Sequence, residues 1–164
     1  MSEYFFPKLT AFEALAPHRL RTVWSTGEVL KVDVQTRLGS HAVLTTILDP
    51  EVFAGVHIGE CGNSIEWIDA EFGIDNVDAW AKEQAGEVSH EMFDGWMTRS
   101  GLSLATAAAA LGISRRMVSY YRTAHKAIPR AIWLACLGWE AIRPKERALP
   151  RVLPTAREYA ALHP

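Results

Sequence analysis

Arg115 and Arg116 stand side by side, and Ser119 and Tyr120 follow one helical turn later, so on a helix all four share a broad side. Arginine is the commonest side chain for bidentate contact with guanine in the major groove, where each good pair contributes roughly 1–3 kcal/mol of discrimination. Ser114, immediately before, is a helix N-cap residue, and a helix start with a hydroxyl and outward backbone N–H groups can meet a phosphate. Arg122 and Lys126 extend the polar side, and with Arg99 and the Arg143–Arg147 segment they are candidate phosphate contacts.

Other chemistry is poorly served. The six histidines form no i,i+4 pair and no HExxH, and Cys61 and Cys136 form no CxxC, so no metal site, disulfide or cofactor is expected. The carboxylates of "DAEFGIDNVD" lack the alternating ligands and terminal glutamate of an EF-hand and read as a solvated acidic face. GxSxG, P-loop and GxGxxG patterns are all missing, so we expect no enzyme.

The elements that must hold the arginine pair are legible around it. "SHEMFDGWMTRSG" reads as a helix capped by Ser89 and stopped by Gly101, with Met92, Phe93, Trp96 and Met97 on one face. "SLATAAAALG" is a second helix ending at Gly112. "SRRMVSYYRTAHKA" is a third, from Ser114 to Lys126, and "PRAIWLACLGWEAI" a fourth, with Ile132, Trp133, Cys136 and Leu137 on a buried stripe. Between the second and third, Ala108 is small enough for a close helix crossing, Gly112 tolerates a left-handed turn, and Ile113 buries an apolar side chain. Leu104, Ala107 and Leu111 complete the inner face, which Val118 and Tyr121 meet. The alanine run, Ala107 to Ala110, is then a thin packing surface that leaves the third helix outward. Beyond Ile142, the prolines at 144, 150 and 154 and "RPKER" suggest an extended basic tail, which a last short helix "TAREYAALH" follows.

Upstream the pattern changes to mixed α/β. Leu20–Trp24 and Val29–Val34 flank Ser25-Thr26-Gly27-Glu28 as a β-hairpin, and "GVHIG" and "SIEWI" form a second pair around Gly62. Asp49-Pro50 opens a short helix, and "IDNVDAWAKEQ" is another, with Ile74, Val77 and Trp80 on one face. Charge divides in the same way. Residues 1–96 hold six basic and sixteen acidic side chains, net −10, while residues 97–164 hold eleven and three, net +8. A polyanion would therefore meet the C-terminal side only.

On "GLSLATAAAALGISRRMVSYYRTAHKAIPRAIWLA", residues 89–142 resemble the lambda-repressor-like (Cro-type) helix-turn-helix DNA-binding domains. The resemblance implies that Arg115, Arg116 and Tyr120 occupy base-reading positions and that Ser103 contacts a phosphate. Two positions depart from the pattern. Leu104 stands where the family often has a glutamine near the phosphates, and Ala124 replaces a usual glycine, implying a less sharp turn. On "HRLRTVWSTGEVLKVDV", "LDPEVFAGVHIG" and "SIEWIDAEFGID", the first 85 residues resemble a small bacterial domain of unknown function. Some members of that group carry a helix-turn-helix, and others belong to toxin–antitoxin-like pairs.

The expected organisation is thus an acidic α+β domain over 1–86, an all-α helix-turn-helix domain of four to five helices over 87–143, and a basic tail over 144–164. We expect a cytoplasmic regulator of transcription, autorepressor or antitoxin-like, that binds double-stranded DNA as a homodimer with half-sites about 34 Å apart. No signal peptide or membrane span is expected. Two other readings stand beside it. One is a protein–protein adaptor working through residues 1–86; the other is a sensor with an apolar pocket between the two β pairs and helix 74–84.

Overall fold

A computed structural model describes residues 6–142 together with Ala156, Arg157 and Ala161. Of the expected basic tail, residues 143–155, 158–160 and 162–164 lie outside the described residues.

Both anticipated hairpins form, and each gains a third strand. β1 (Leu9–Leu15), β2 (Arg19–Trp24) and β3 (Val29–Asp33) make one antiparallel sheet; β4 (His57–Ile58), β5 (Ser64–Trp67) and β6 (Ala70–Gly73) make the other. Gly27 closes the β2–β3 turn at φ +85°, a left-handed backbone that favours glycine. Alternation along β2 and β3 sends Leu20, Thr22 and Trp24, then Leu30 and Val32, to the buried side.

Short helices cover this layer. α1 (Gln35–Gly39) and a 3₁₀ segment (Ala42–Leu48) precede α2 (Pro50–Ala54), whose N-cap Asp49 accepts from the backbone N–H of Glu51 at 2.9 Å. α3 (Ile74–Gln84) places Ile74 and Val77 against both sheets, with Trp80 half-buried. The space between the sheets and α3, where a sensor pocket was anticipated, is taken up by Leu20, Trp24, Val32, Ile65, Trp67 and Phe72. One expectation for α3 fails. Asp78 lies in the stretch read as a solvated acidic face, yet it is 2% exposed. Its carboxylate is 3.9 Å from Lys82 Nζ, itself buried and 3.4 Å from Glu28.

A second core forms from α4 (His90–Ser100), α5 (Leu104–Leu111), α6 (Arg115–Arg122) and α7 (Arg130–Ile142). Phe93, Trp96, Met97, Ala107, Ala108, Val118, Tyr121 and Cys136 are its buried residues. Ser89, Ser103 and Ser114 cap α4, α5 and α6 through their hydroxyls, and Gly101 and Gly112 end α4 and α5 in left-handed conformation. Each cap supplies an acceptor for a backbone donor that the helix leaves unpaired.

Three details differ from the sequence expectation. Leu104 and Leu137 are exposed rather than buried, because Cys136 and the half-buried Ile132 and Trp133 turn the inner side of α7 away from Leu137. α6 stops at Arg122, four residues short of Lys126. Its end is a tight reversal: Ala124 takes φ +57°, and His125 N–H donates to the Tyr120 carbonyl at 3.0 Å. That bond is the Schellman closure of a helix, so alanine has adopted the conformation usually given to glycine, and the turn is as sharp as glycine would make it.

No helix among the described residues is long and apolar enough to cross a membrane.

Candidate nucleic-acid interface

α6 is held from within and exposed on its opposite side. Val118 and Tyr121 enter the second core, where Tyr121 meets Phe93 edge-on at 5.6 Å, and burial pushes the Tyr121 phenol above its usual pKa. That contact leaves Arg115 and Arg116 exposed at the start of the helix and Tyr120 half-buried one turn on. Ser114 begins the helix with its hydroxyl accepting from Met117 N–H at 3.1 Å.

Arg116 and Tyr120 are brought together directly. Arg116 Nε donates to Tyr120 Oη at 2.7 Å, with the guanidinium carbon 5.4 Å from the ring centroid. Arg115 has no ion pair or hydrogen bond among the described residues.

Ser119 does not join them. At 9% exposure it lies beside Val118 and lines a cleft of about 620 Å³ between α4, α5 and α6. Ser119 shares a flank of α6 with Arg122, three residues on, and α4 closes over that flank, where Asp94 meets Arg122. Asp75, Glu91 and Asp94 line the same cleft, a negative surround for any phosphate.

The anticipated phosphate contacts separate into two groups. Arg122 Nε donates to Asp94 Oδ1 at 2.6 Å, and Arg99 pairs with Glu140 at 3.3 Å. Both partners lie far away in sequence, 28 and 41 residues distant, so no local pattern announces them. Ser103 is committed to a capping box: its hydroxyl accepts from Thr106 N–H, and Thr106 Oγ1 accepts from Ser103 N–H at 2.8 Å. Lys126, in contrast, is exposed on the loop after α6 and in no ion pair among the described residues. Sequence reasoning overlooked Arg130, equally exposed at the start of α7; its place after Ile128-Pro129 was the available signal.

No group of three or more metal-ligating side chains converges among the described residues. Cys61 is exposed and Cys136 buried, where desolvation pushes its thiol up to about 12.

An α+β layer beside a four-helix unit with an outward, arginine-bearing helix defines the class of fold. No protein-family model and no curated protein matches the sequence. Among solved structures, the chain is similar to the crystal structure of a "Putative DNA Binding Protein" from Nitrosomonas europaea ATCC 19718. The two are 73% identical, the match covers 94% of this chain and 100% of that one, and the TM-score is 0.83. The chain belongs to the same family as that Nitrosomonas europaea protein.

Proposed function

We propose that this chain is a sequence-specific DNA-binding protein, a regulator of transcription of the autorepressor or antitoxin-like kind. In this reading residues 87–143 form a lambda-repressor-like DNA-binding domain, and residues 1–86 form an acidic companion domain able to receive a protein partner. The observation that carries it is the two-sidedness of α6. Val118 and Tyr121 anchor one side, while Arg115 and Arg116 lie exposed on the other. The relative's name points the same way.

α6 enters the major groove start first, with Arg115 and Arg116 at base edges. The Ser114 hydroxyl uses a lone pair for capping and keeps its O–H proton for a phosphate oxygen. Lys126 reaches the backbone from the following loop. Arg99 and Arg122 contribute only after exchanging a carboxylate for a phosphate, and Ser119 is set aside as a base reader. A single module of this size buries little DNA, and an acidic companion adds none, so two copies acting on half-sites about 34 Å apart complete the reading.

The test is selection of bound duplexes from a random pool, followed by titrations at two salt concentrations. An enriched inverted repeat, with affinity falling steeply as salt rises, is the expected result. Arg115→Ala flattens the preference at one base position, whereas Lys126→Ala weakens every sequence alike. A pool that emerges unenriched, with retention indifferent to salt, overturns the proposal.

A further inference from the structure

The Arg116–Tyr120 pair has more built around it than a surface contact needs. Ala124, in its left-handed conformation, folds the chain back so that the His125 ring lies 6.0 Å from the Tyr120 ring, tilted by 38°. Thr123 Oγ1 donates to the Ser119 carbonyl at 2.8 Å, which uses its one proton, so the 2.8 Å contact with His125 Nδ1 requires that nitrogen to donate. The imidazole is thereby fixed in tautomer and orientation. Tyr120 stands between this fixed ring and Arg116 in the sequence of contacts: His125 neighbours the phenol, and the phenol oxygen holds Arg116 Nε at 2.7 Å.

From this we infer that Tyr120 is a positioning residue rather than a base reader, and that it sets Arg116 to recognise guanine. This rests on the DNA-binding reading above. A guanidinium can approach a base either through Nε and one Nη or end-on through both Nη nitrogens. Holding Nε on the phenol oxygen selects the end-on approach, whose two parallel donors match the O6 and N7 acceptors of guanine. Adenine presents a donor at the corresponding position and is refused. Arginine otherwise surrenders substantial rotamer freedom on being ordered at an interface, and Tyr120 removes part of that loss beforehand. Arg115, on the adjacent position without such a support, discriminates less sharply.

The decisive comparison is Tyr120→Phe, which keeps the ring and deletes the acceptor. Binding is measured on the site enriched by the wild type and on the same site with each guanine replaced in turn. In the wild type one guanine responds to Arg116→Ala. Tyr120→Phe lowers the preference for that same guanine about tenfold, leaves affinity for unselected DNA within about twofold, and adds nothing further when combined with Arg116→Ala. An equal loss on all sequences, a loss at a different base, or an unchanged preference overturns the inference while leaving DNA binding intact. A wild type that enriches no site overturns the functional reading itself. A second measurement needs no DNA: the Arg116 Nε–H resonance of the wild type is protected from solvent exchange and loses that protection in Tyr120→Phe. A fully exchanging Nε–H in the wild type overturns the preorganised pair.

Discussion

Ala124 shows how one residue can hold a conformation that its chemistry disfavours. A left-handed backbone costs a residue with a Cβ roughly 1–2 kcal/mol, and Ala124 accepts it at φ +57° with the methyl buried. Glycine would release that strain, yet it would forfeit a buried methyl, about 0.8 kcal/mol, and enlarge the unfolded ensemble by a further 0.4–1 kcal/mol. The opposing effects nearly cancel, so Ala124→Gly should lie within about 1 kcal/mol of the wild type in urea unfolding. Ala124→Val adds a β-branch where φ is positive and bulk where the core is closed, and should cost about 2 kcal/mol or more. A large loss in the glycine variant would mean that methyl packing, not backbone geometry, selects alanine here. The consequence reaches the candidate site, because this reversal is what sets His125 beside Tyr120.

At the scale of the element, the crossing of α5 and α6 depends on side chains being absent. Ala107 and Ala108 are buried where α6 lies against α5, while Ala105 and Ala109 on the same helix are exposed. Ala108→Val should therefore destabilise by about 1–3 kcal/mol through overpacking, with Ala109→Leu, within about 0.5 kcal/mol of the wild type, as its control. Equal effects at the two positions in thermal unfolding would remove the crossing as the reason for the alanine run. Such elements were legible in the sequence because their signals are local. Ser89, Ser103 and Ser114 begin helices and Gly101 and Gly112 end them within a few residues of the apolar stripes they frame. β1, β6, α1 and the 3₁₀ segment were not legible. A four-residue strand such as Ala70–Gly73 owes its conformation to the partner it pairs with, and that pairing is a tertiary fact. The end of α6 was missed because an alanine carries no sequence mark of a left-handed backbone. The arginine pair was legible in the candidate site; the carboxylates that engage Arg99 and Arg122 were not, since they arrive from distant helices.

Across the whole molecule, two cores meet at a junction that holds buried charge. His90 Nε2 lies 3.0 Å from the Asp75 carbonyl, the His90 ring meets Phe6 at 4.9 Å, and Ser89 Oγ donates to Glu83 at 2.6 Å. Asp78 lies in the adjoining helix with one carboxylate oxygen lacking a hydrogen bond among the described residues, its 3.9 Å separation from Lys82 being close enough for attraction but too long for a bond. Burial is the main influence and raises its pKa from 3.8 to about 6; Lys82 and His90 oppose the rise, and Glu28 and Glu87 add to it. The sign follows from linkage. Between about 4 and 6 the native state keeps a proton that the unfolded chain has released, so stability from this group falls as pH rises through the window and its penalty is complete at pH 7. The penalty is on the order of 3 kcal/mol at most. Asp78→Asn removes the titration while leaving Lys82 its contact with Glu28 at 3.4 Å. Other carboxylates titrate over the same range in both proteins, so the informative quantity is the difference between them. Urea unfolding at pH 4, 5, 6 and 7.5 should show Asp78→Asn gaining on the wild type by about 1–3 kcal/mol from the lowest pH to the highest. A difference that stays constant with pH would mean that Asp78 is ionised in the native state throughout, with Lys82 outweighing the cost of burial at the junction between the two cores.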